Sequence, residues 1–205
     1  GIQDQGVAAT VKHFPGHGDT ATDSHYGLPM VDKSIEELRE TELKPFKIAI
    51  ENGIDMIMTA HIQFPQIEKD TFISKKDGSQ ISIPATLSDD IIKGILREEM
   101  EYDGVVITDA MTMKAISDHF GELESTKMAI NAGIDIIFMP TILRNNEDVK
   151  KLDYIVNGIL DSIKSGEIKE EEITDSAERI VKLKIDRGII DLKNNNASLE
   201  EKIKK

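Results

Sequence analysis

The sequence predicts an α/β fold built of parallel β/α units, and three observations carry that prediction. Four apolar, β-branched runs, Val7–Phe14, Ile54–His61, Gly104–Ala110 and Gly133–Pro140, are nearly continuous rather than alternating, as expected of strands buried on both faces. Segments of helical periodicity lie between and after them. The resulting order, β-α-β-α-β-α-β-α-α, selects a parallel sheet with right-handed crossovers. Ionisable residues (His13, His61, Asp109) also collect at the carboxyl ends of the runs, the edge on which parallel α/β folds build their sites.

The elements follow in order. Val7-Ala8-Ala9-Thr10-Val11 leads directly into a loop rich in Gly, Pro and His, a mixture that packing alone rarely requires. Ser34 and Glu37 form a capping box, after which Ile35, Leu38, Phe46 and Ile50 recur at helical spacing until Gly53. Pro45 falls inside this segment and predicts a kink or a late helix start. After the second strand, Phe64–Pro84 reads as a loop or short hairpin over the sheet. A second helix carries Ile92, Ile95, Leu96 and Met100, with Asp89 and Asp90 favourable in its first turn. A third spans about Glu122–Ala132, and two more lie near Glu147–Lys164 and Thr174–Arg187. The second and fourth strands open alike, with Gly53-Ile54-Asp55 and Gly133-Ile134-Asp135, a faint internal repeat. The domain is expected to span residues 1–190, with 191–205 as a polar tail or linker.

A chain of 205 residues can bury a sizeable core as one domain. Its 39% hydrophobic and 31% charged residues predict a folded rather than a disordered chain. The formal net charge of −13 would repel a phosphate backbone, so no nucleic-acid partner is expected. With no cysteine there is no disulfide and no thiolate chemistry. No apolar run approaches the ~20 residues of a membrane span. No basic region with an apolar signal core opens the chain, and Gly1 does not look like a natural start, which leaves room for a lost leader.

Asp109, in Val105-Val106-Ile107-Thr108-Asp109-Ala110-Met111, sits where a parallel strand delivers functional groups. Asp55 and Asp135 fall at the amino ends of their strands, where stability or a turn is the better reading. The loop Lys12-His13-Phe14-Pro15-Gly16-His17-Gly18, followed by Asp23-Ser24-His25, leaves three readings open. It could form a metal site from His13, His17, His25, Asp19 or Asp23, although Pro15-Gly16 removes the helix on which an i, i+4 pair of histidines would chelate. It could be a loop whose histidines bond its own backbone. In the third reading, Asp23 orients His25 and stabilises its charged form, giving a proton-transfer group that titrates near neutrality. His61 ends a strand and reads as a wall or substrate contact of the same site, and His119, in a polar stretch, as a surface residue.

Lys12–Gly18 with Asp23-Ser24-His25 resembles the signature of family 3 glycoside hydrolases, in particular the β-N-acetylglucosaminidase branch of bacterial cell-wall turnover. Thr59-Ala60-His61 and Val106-Ile107-Thr108-Asp109 resemble two further family segments in the right order, and Ile173–Ile190 looks like the usual close of the barrel domain. The resemblance covers about Gly6 to Ile190. It implies that Asp109 is the nucleophile of a retaining mechanism and that His25, oriented by Asp23, is the general acid/base. It implies that Lys12 and His13 bind the N-acetylglucosamine hydroxyls, with His17, His61 and Met111 also in the substrate-contact set, and that no metal or organic cofactor is needed. A neutral imidazole would repel phosphate less than a carboxylate would, so phosphorolysis is conceivable beside hydrolysis.

The family's catalytic domain is a (β/α)8 barrel of typically ~250 residues. Only four strands are read here, and their motifs match strands five to eight, so the chain is expected to form about half of a TIM-type barrel. The family's sugar-contacting Asp and Arg of the first half are absent. The implied partners are an N-acetylglucosamine-containing muropeptide and either the missing amino-terminal half-barrel or a second copy of the chain, because an open half-barrel exposes strand edges. The implied activity is a retaining exo-β-N-acetylglucosaminidase of a bacterial cell envelope or exterior, with the cytoplasm still open. A metal-dependent barrel hydrolase and a non-catalytic sugar-binding half-barrel are the alternatives.

Overall fold

The structure, a computed structural model, describes residues 1–18 and 28–191. The expected acid/base segment at 19–27 (Asp19, Asp23, Ser24 and His25) lies outside the described residues. So does the tail, apart from Asp191.

Three parallel strands form the central sheet: β1 (Thr10–Phe14), β2 (Met56–Thr59) and β5 (Val105–Ile107), adjacent in sequential order. Sequential parallel order is what a barrel wall requires, whereas a doubly wound sheet reverses its order. Between them lie α1 (Ile35–Glu40) and α2 (Leu43–Glu51), then a hairpin of β3 (Thr71–Ile73) and β4 (Gln80–Ser82), then a π-helix over Asp90–Glu99. After β5 come α3 (Lys114–Ser117), α4 (Glu122–Ala132), α5 (Asn146–Ser165) and α6 (Glu170–Asp186).

The expected fourth strand is corrected. Gly133–Pro140 runs beside β5 in parallel, but only one bridge forms, Ile107 with Ile136. The Ile136 carbonyl accepts from Thr108 N–H at 3.0 Å, after which the ladder fails because Phe138 N–H donates to the Thr108 hydroxyl at 2.9 Å instead of to a backbone carbonyl. The proline segment resolves as a restart: the Ser34–Glu37 capping box starts α1, α1 ends at Glu40, and α2 begins at Leu43 with Pro45 in its first turn, where no intrahelical donor is missed. The second helix is helical as expected but with π geometry.

The sheet's two faces differ. Val11, Ile57 and Val106 stand in one row across the three strands, and Ile57 and Val106 are fully buried beneath the helices. On the opposite face Lys12, Met58 and Ile107 align and remain exposed or half-exposed. Near-continuous apolar strands predict burial on both faces, and here the opposite face achieves it at Val105 but not along the Lys12, Met58 and Ile107 row. Phe138 and Met139, at the end of the fourth segment, are also exposed.

Candidate active site

The carboxyl ends of β1, β2 and β5 bring His13, His61 and Asp109 together. Asp109 follows Thr108, which is fully buried, so the strand's register fixes where the carboxylate emerges. Its Oδ1 accepts the Ala110 N–H at 2.7 Å, and its Oδ2 lies 3.4 Å from His13 Nε2. That second distance is a charge contact rather than a hydrogen bond of ordinary length. The carboxylate is 22% exposed, so part of it faces solvent. The rings of His13 and His17 meet edge to face with centroids 5.7 Å apart. Lys12 lies on the open face of the sheet, on the strand that leads into His13.

Gly16 explains how the histidine loop crosses its neighbours. Its φ of 144° favours glycine, and a Cβ there would lie 2.6 Å from Cβ and Cγ of Glu42. Glu42 is held in turn by Lys33 and Thr41. Burial pushes its pKa up, those two partners pull it down further, and the net shift is downward. Where the chain is described again after residue 27, Gln63 secures it: Gln63 N–H donates to the Pro29 carbonyl at 2.9 Å and Val31 N–H to the Gln63 carbonyl at 2.9 Å.

Two expected contact residues are placed differently. Met111 is 2% exposed and belongs to the core, its N–H on the Phe138 carbonyl, so it offers no free surface to a substrate. His61 is 1% exposed and lies behind Asp109 rather than in a wall. Its Nε2 donates to the Ala110 carbonyl at 3.1 Å, and its Nδ1 lies 2.9 Å from the Thr86 hydroxyl. Burial is the main cause that lowers its pKa, to about 4; Asp109 opposes the shift, and His13 and His17 add to it. His119 is corrected as well: it is buried, with Nδ1 2.8 Å from the Ser74 hydroxyl, because the β3–β4 hairpin folds over it. Thr86, Gln63 and Glu42 gave no signal in the sequence, since none stands at a strand end or in a motif.

Among the described residues, no three His, Asp or Glu side chains form a metal-ligand set. The arrangement at Asp109 is one partly exposed carboxylate with the His13 imidazole beside it, suited to attack on an electrophilic carbon, and Lys12 on the open face of the same sheet is suited to hydroxyl recognition.

The family description "Glycosyl hydrolase family 3 N terminal domain" matches residues 1–183. The chain belongs to glycosyl hydrolase family 3. A beta-hexosaminidase A of Pseudoalteromonas piscicida is 41% identical over 180 residues, 87% of this chain and 30% of that protein. The family 3 β-N-acetylglucosaminidase of Paenibacillus sp. str. FPU-7 superposes with a TM-score of 0.79 at 40% identity, over 98% of this chain and 36% of that one. Zn-bound CbsA of Thermotoga neapolitana gives a TM-score of 0.70 at 35% identity, over 84% and 34%. The chain thus spans about a third of the length of the curated relatives it matches, which come from bacteria. No helix among the described residues is long and apolar enough to cross a membrane.

Proposed function

We propose that this family 3 chain carries the nucleophile and acid/base segments of a retaining exo-β-N-acetylglucosaminidase that removes terminal N-acetylglucosamine from peptidoglycan fragments. The observation that carries the reading is the partly exposed Asp109 carboxylate at a strand's carboxyl end, 3.4 Å from His13, with Lys12 on the open face of the same sheet. The relatives named beta-hexosaminidase and β-N-acetylglucosaminidase supply the substrate class.

In this mechanism Asp109 attacks the anomeric carbon as the glycosidic C–O bond breaks, and a proton from the His25 imidazolium goes to the departing oxygen. Neutral His25, oriented by Asp23, then takes a proton from water, whose oxygen forms the new bond to the anomeric carbon and releases Asp109. Lys12, His13 and His17 bind the sugar hydroxyls. No cofactor enters either step.

The chain is the second half of a (β/α)8 barrel, strands five to eight, in a longer parent that supplies the first half. Sequential parallel strands and the uncovered sheet face bearing Lys12, Met58 and Ile107 support this. A muropeptide substrate fits a parent in the bacterial envelope or outside the cell, with the cytoplasm as the alternative compartment.

The test is release of 4-nitrophenol from its β-N-acetylglucosaminide by this chain and by the full-length parent, with and without EDTA. The expected result is activity in the parent alone, indifferent to chelator. Zinc is bound in one relative, so activity lost to EDTA would instead favour a metal-dependent hydrolase. Glycan binding without turnover in the parent would leave a sugar-binding unit.

A further inference from the structure

His61 is a nearly fully buried histidine at the heart of the site, and the reaction as described gives it no proton to move. We propose that His61 is a positioning residue that fastens the turn behind Asp109 and so holds the carboxylate in its attack orientation without touching the sugar. The proposal rests on the reading of Asp109 as nucleophile.

The hydrogen bonds fix the state of the ring. A carbonyl can only accept, so the 3.1 Å contact to Ala110 O requires a proton on Nε2. Burial disfavours a second proton, which leaves Nδ1 as an acceptor, and the single Thr86 hydroxyl proton is shared between Nδ1 and the Ala60 carbonyl, each 2.9 Å away. The Thr59 hydroxyl, 3.0 Å from that of Thr86, donates into the same chain. The relay runs from Thr59 to Thr86, branches there to the Ala60 carbonyl and to His61, and continues from His61 to the Ala110 carbonyl.

The peptide it reaches is held at both ends. Its carbonyl, from Ala110, accepts from His61 just past the end of β2 as well as from the Met113 N–H at 3.0 Å within the turn. Its N–H, from Met111, donates to the Phe138 carbonyl at 3.0 Å on the other side of β5. Ala110 is thereby clamped between the two neighbours of its own strand. Its remaining backbone donor, the Ala110 N–H, holds Asp109 Oδ1 at 2.7 Å, leaving Oδ2 toward His13 and the open edge. If the clamp is released, the turn can rotate and the carboxylate drifts. Displacement of about 1 Å at a reacting group costs on the order of a hundredfold in rate.

A ring buried to 1% exposure contacts no sugar, so substrate binding should not depend on it. Two amide replacements separate the roles of its nitrogens. In His61→Gln the terminal amide nitrogen reaches the position of Nε2 and can still donate to Ala110. In His61→Asn it stops near the position of Nδ1, and the Ala110 carbonyl loses the donor from β2 and keeps only the Met113 N–H of its own turn.

The experiment compares His61→Asn, His61→Gln, Thr86→Val and Asp109→Asn in the full-length parent, reading kcat and KM on 4-nitrophenyl β-N-acetylglucosaminide. His61→Asn should lower kcat about thirtyfold to a hundredfold with KM within about threefold. His61→Gln should recover kcat to within about fivefold of the natural protein. A normal kcat in His61→Asn, a rise in KM alone, or equal damage from Gln and Asn would overturn the proposal. Should His61→Asn fail to fold, Thr86→Val decides with His61 in place: a severalfold fall in kcat at constant KM supports the relay, and an unchanged kcat sinks it. Asp109→Asn separates the two readings. If it retains activity, the nucleophile assignment falls; if it is inactive while His61→Asn is fully active, only the positioning role falls.

Discussion

Three aspartates stand at the ends of the parallel strands, and the two ends use the same side chain differently. At the amino end, Asp135 is fully buried and both its oxygens are engaged: Oδ2 takes the Val106 N–H and Arg97, each at 2.7 Å, and Oδ1 takes Arg179 at 3.0 Å. Asp55 repeats the design, with Oδ2 on the Ala9 N–H at 2.9 Å and Oδ1 on Arg187. Arg179 comes from the middle of α6 and Arg187 follows its last residue, so the pair of aspartates ties that helix to the sheet's underside. Among the described residues, Asp109 at the carboxyl end has one donor at ordinary distance, and its carboxylate is 22% exposed. A carboxylate saturated by guanidinium and backbone holds structure, whereas one half-satisfied at an edge retains the capacity to attack.

The sharpest way to break this comparison is to exchange the roles experimentally. Asp109→Ala in the full-length parent should reduce 4-nitrophenol release by at least about a thousandfold, as expected when a covalent nucleophile is removed, while thermal stability changes little. Asp135→Ala should do the reverse. Removing one partner of a buried ion pair costs about 3–5 kcal/mol, because Arg97 and Arg179 lose their counter-charge in a largely desolvated place. Urea denaturation checks this, and the fraction that remains folded should keep kcat within about twofold. A stable but inactive Asp135 variant would contradict the division between the two ends.

That division was readable in the sequence, because parallel strands announce their direction: Asp109 closes its apolar run, while Asp55 and Asp135 open theirs after glycine. The repeated Gly-Ile-Asp has a local cause. Gly53 and Gly133 both end helices with positive φ, at 71° and 97°, and Ile54 and Ile134 then turn inward ahead of the aspartate. Other features could not be read. Whether His61 faces a substrate or a carbonyl depends on Thr86, 25 residues away in a short 3-10 turn that has no periodicity. His119 sits in a polar stretch, so its burial by Ser74 becomes visible only once the hairpin folds over it. The fourth strand failed for a reason that apolar content does not encode, a threonine hydroxyl competing with the backbone ladder.

A titration sharpens the comparison further, since His61 lies under the functional end and is neutral when folded. Its folded pKa, about 4, lies below the ordinary 6.5, so the unfolded chain takes up the proton first. Among the described residues, Asp109, which favours the charged ring, and His13 and His17, which oppose it, are the ionisable groups acting on it. Stability is therefore unaffected by His61 above about pH 6.5 and declines as the pH falls toward 4. The full difference amounts to about 3 kcal/mol. Urea unfolding at pH 7 and pH 4.5 should show the natural protein losing about 2–3 kcal/mol more than His61→Gln over that interval. Parallel losses in the two proteins would mean that His61 is not buried neutral.

A glycine substitution tests how the histidine loop is carried past α2. Gly16→Ala puts a Cβ against Glu42 Cβ and Cγ and forces a side chain onto a φ of 144°, so both the contact and the backbone conformation resist it. Each contribution is on the order of 1–3 kcal/mol when unrelieved. The clash falls on the base of the Glu42 side chain, which cannot swing aside as a flexible tip would. Glu42→Gly in the same protein opens that space but leaves the strained φ, so the double variant should recover part of the loss, about 1 kcal/mol. Activity should follow the loop rather than the sheet: the Gly16→Ala protein should lose kcat through displaced His13 and His17 while the Asp55 and Asp135 clamps keep the underside intact. A variant with normal kcat and lowered stability would instead make Gly16 a packing residue with no hold on the site.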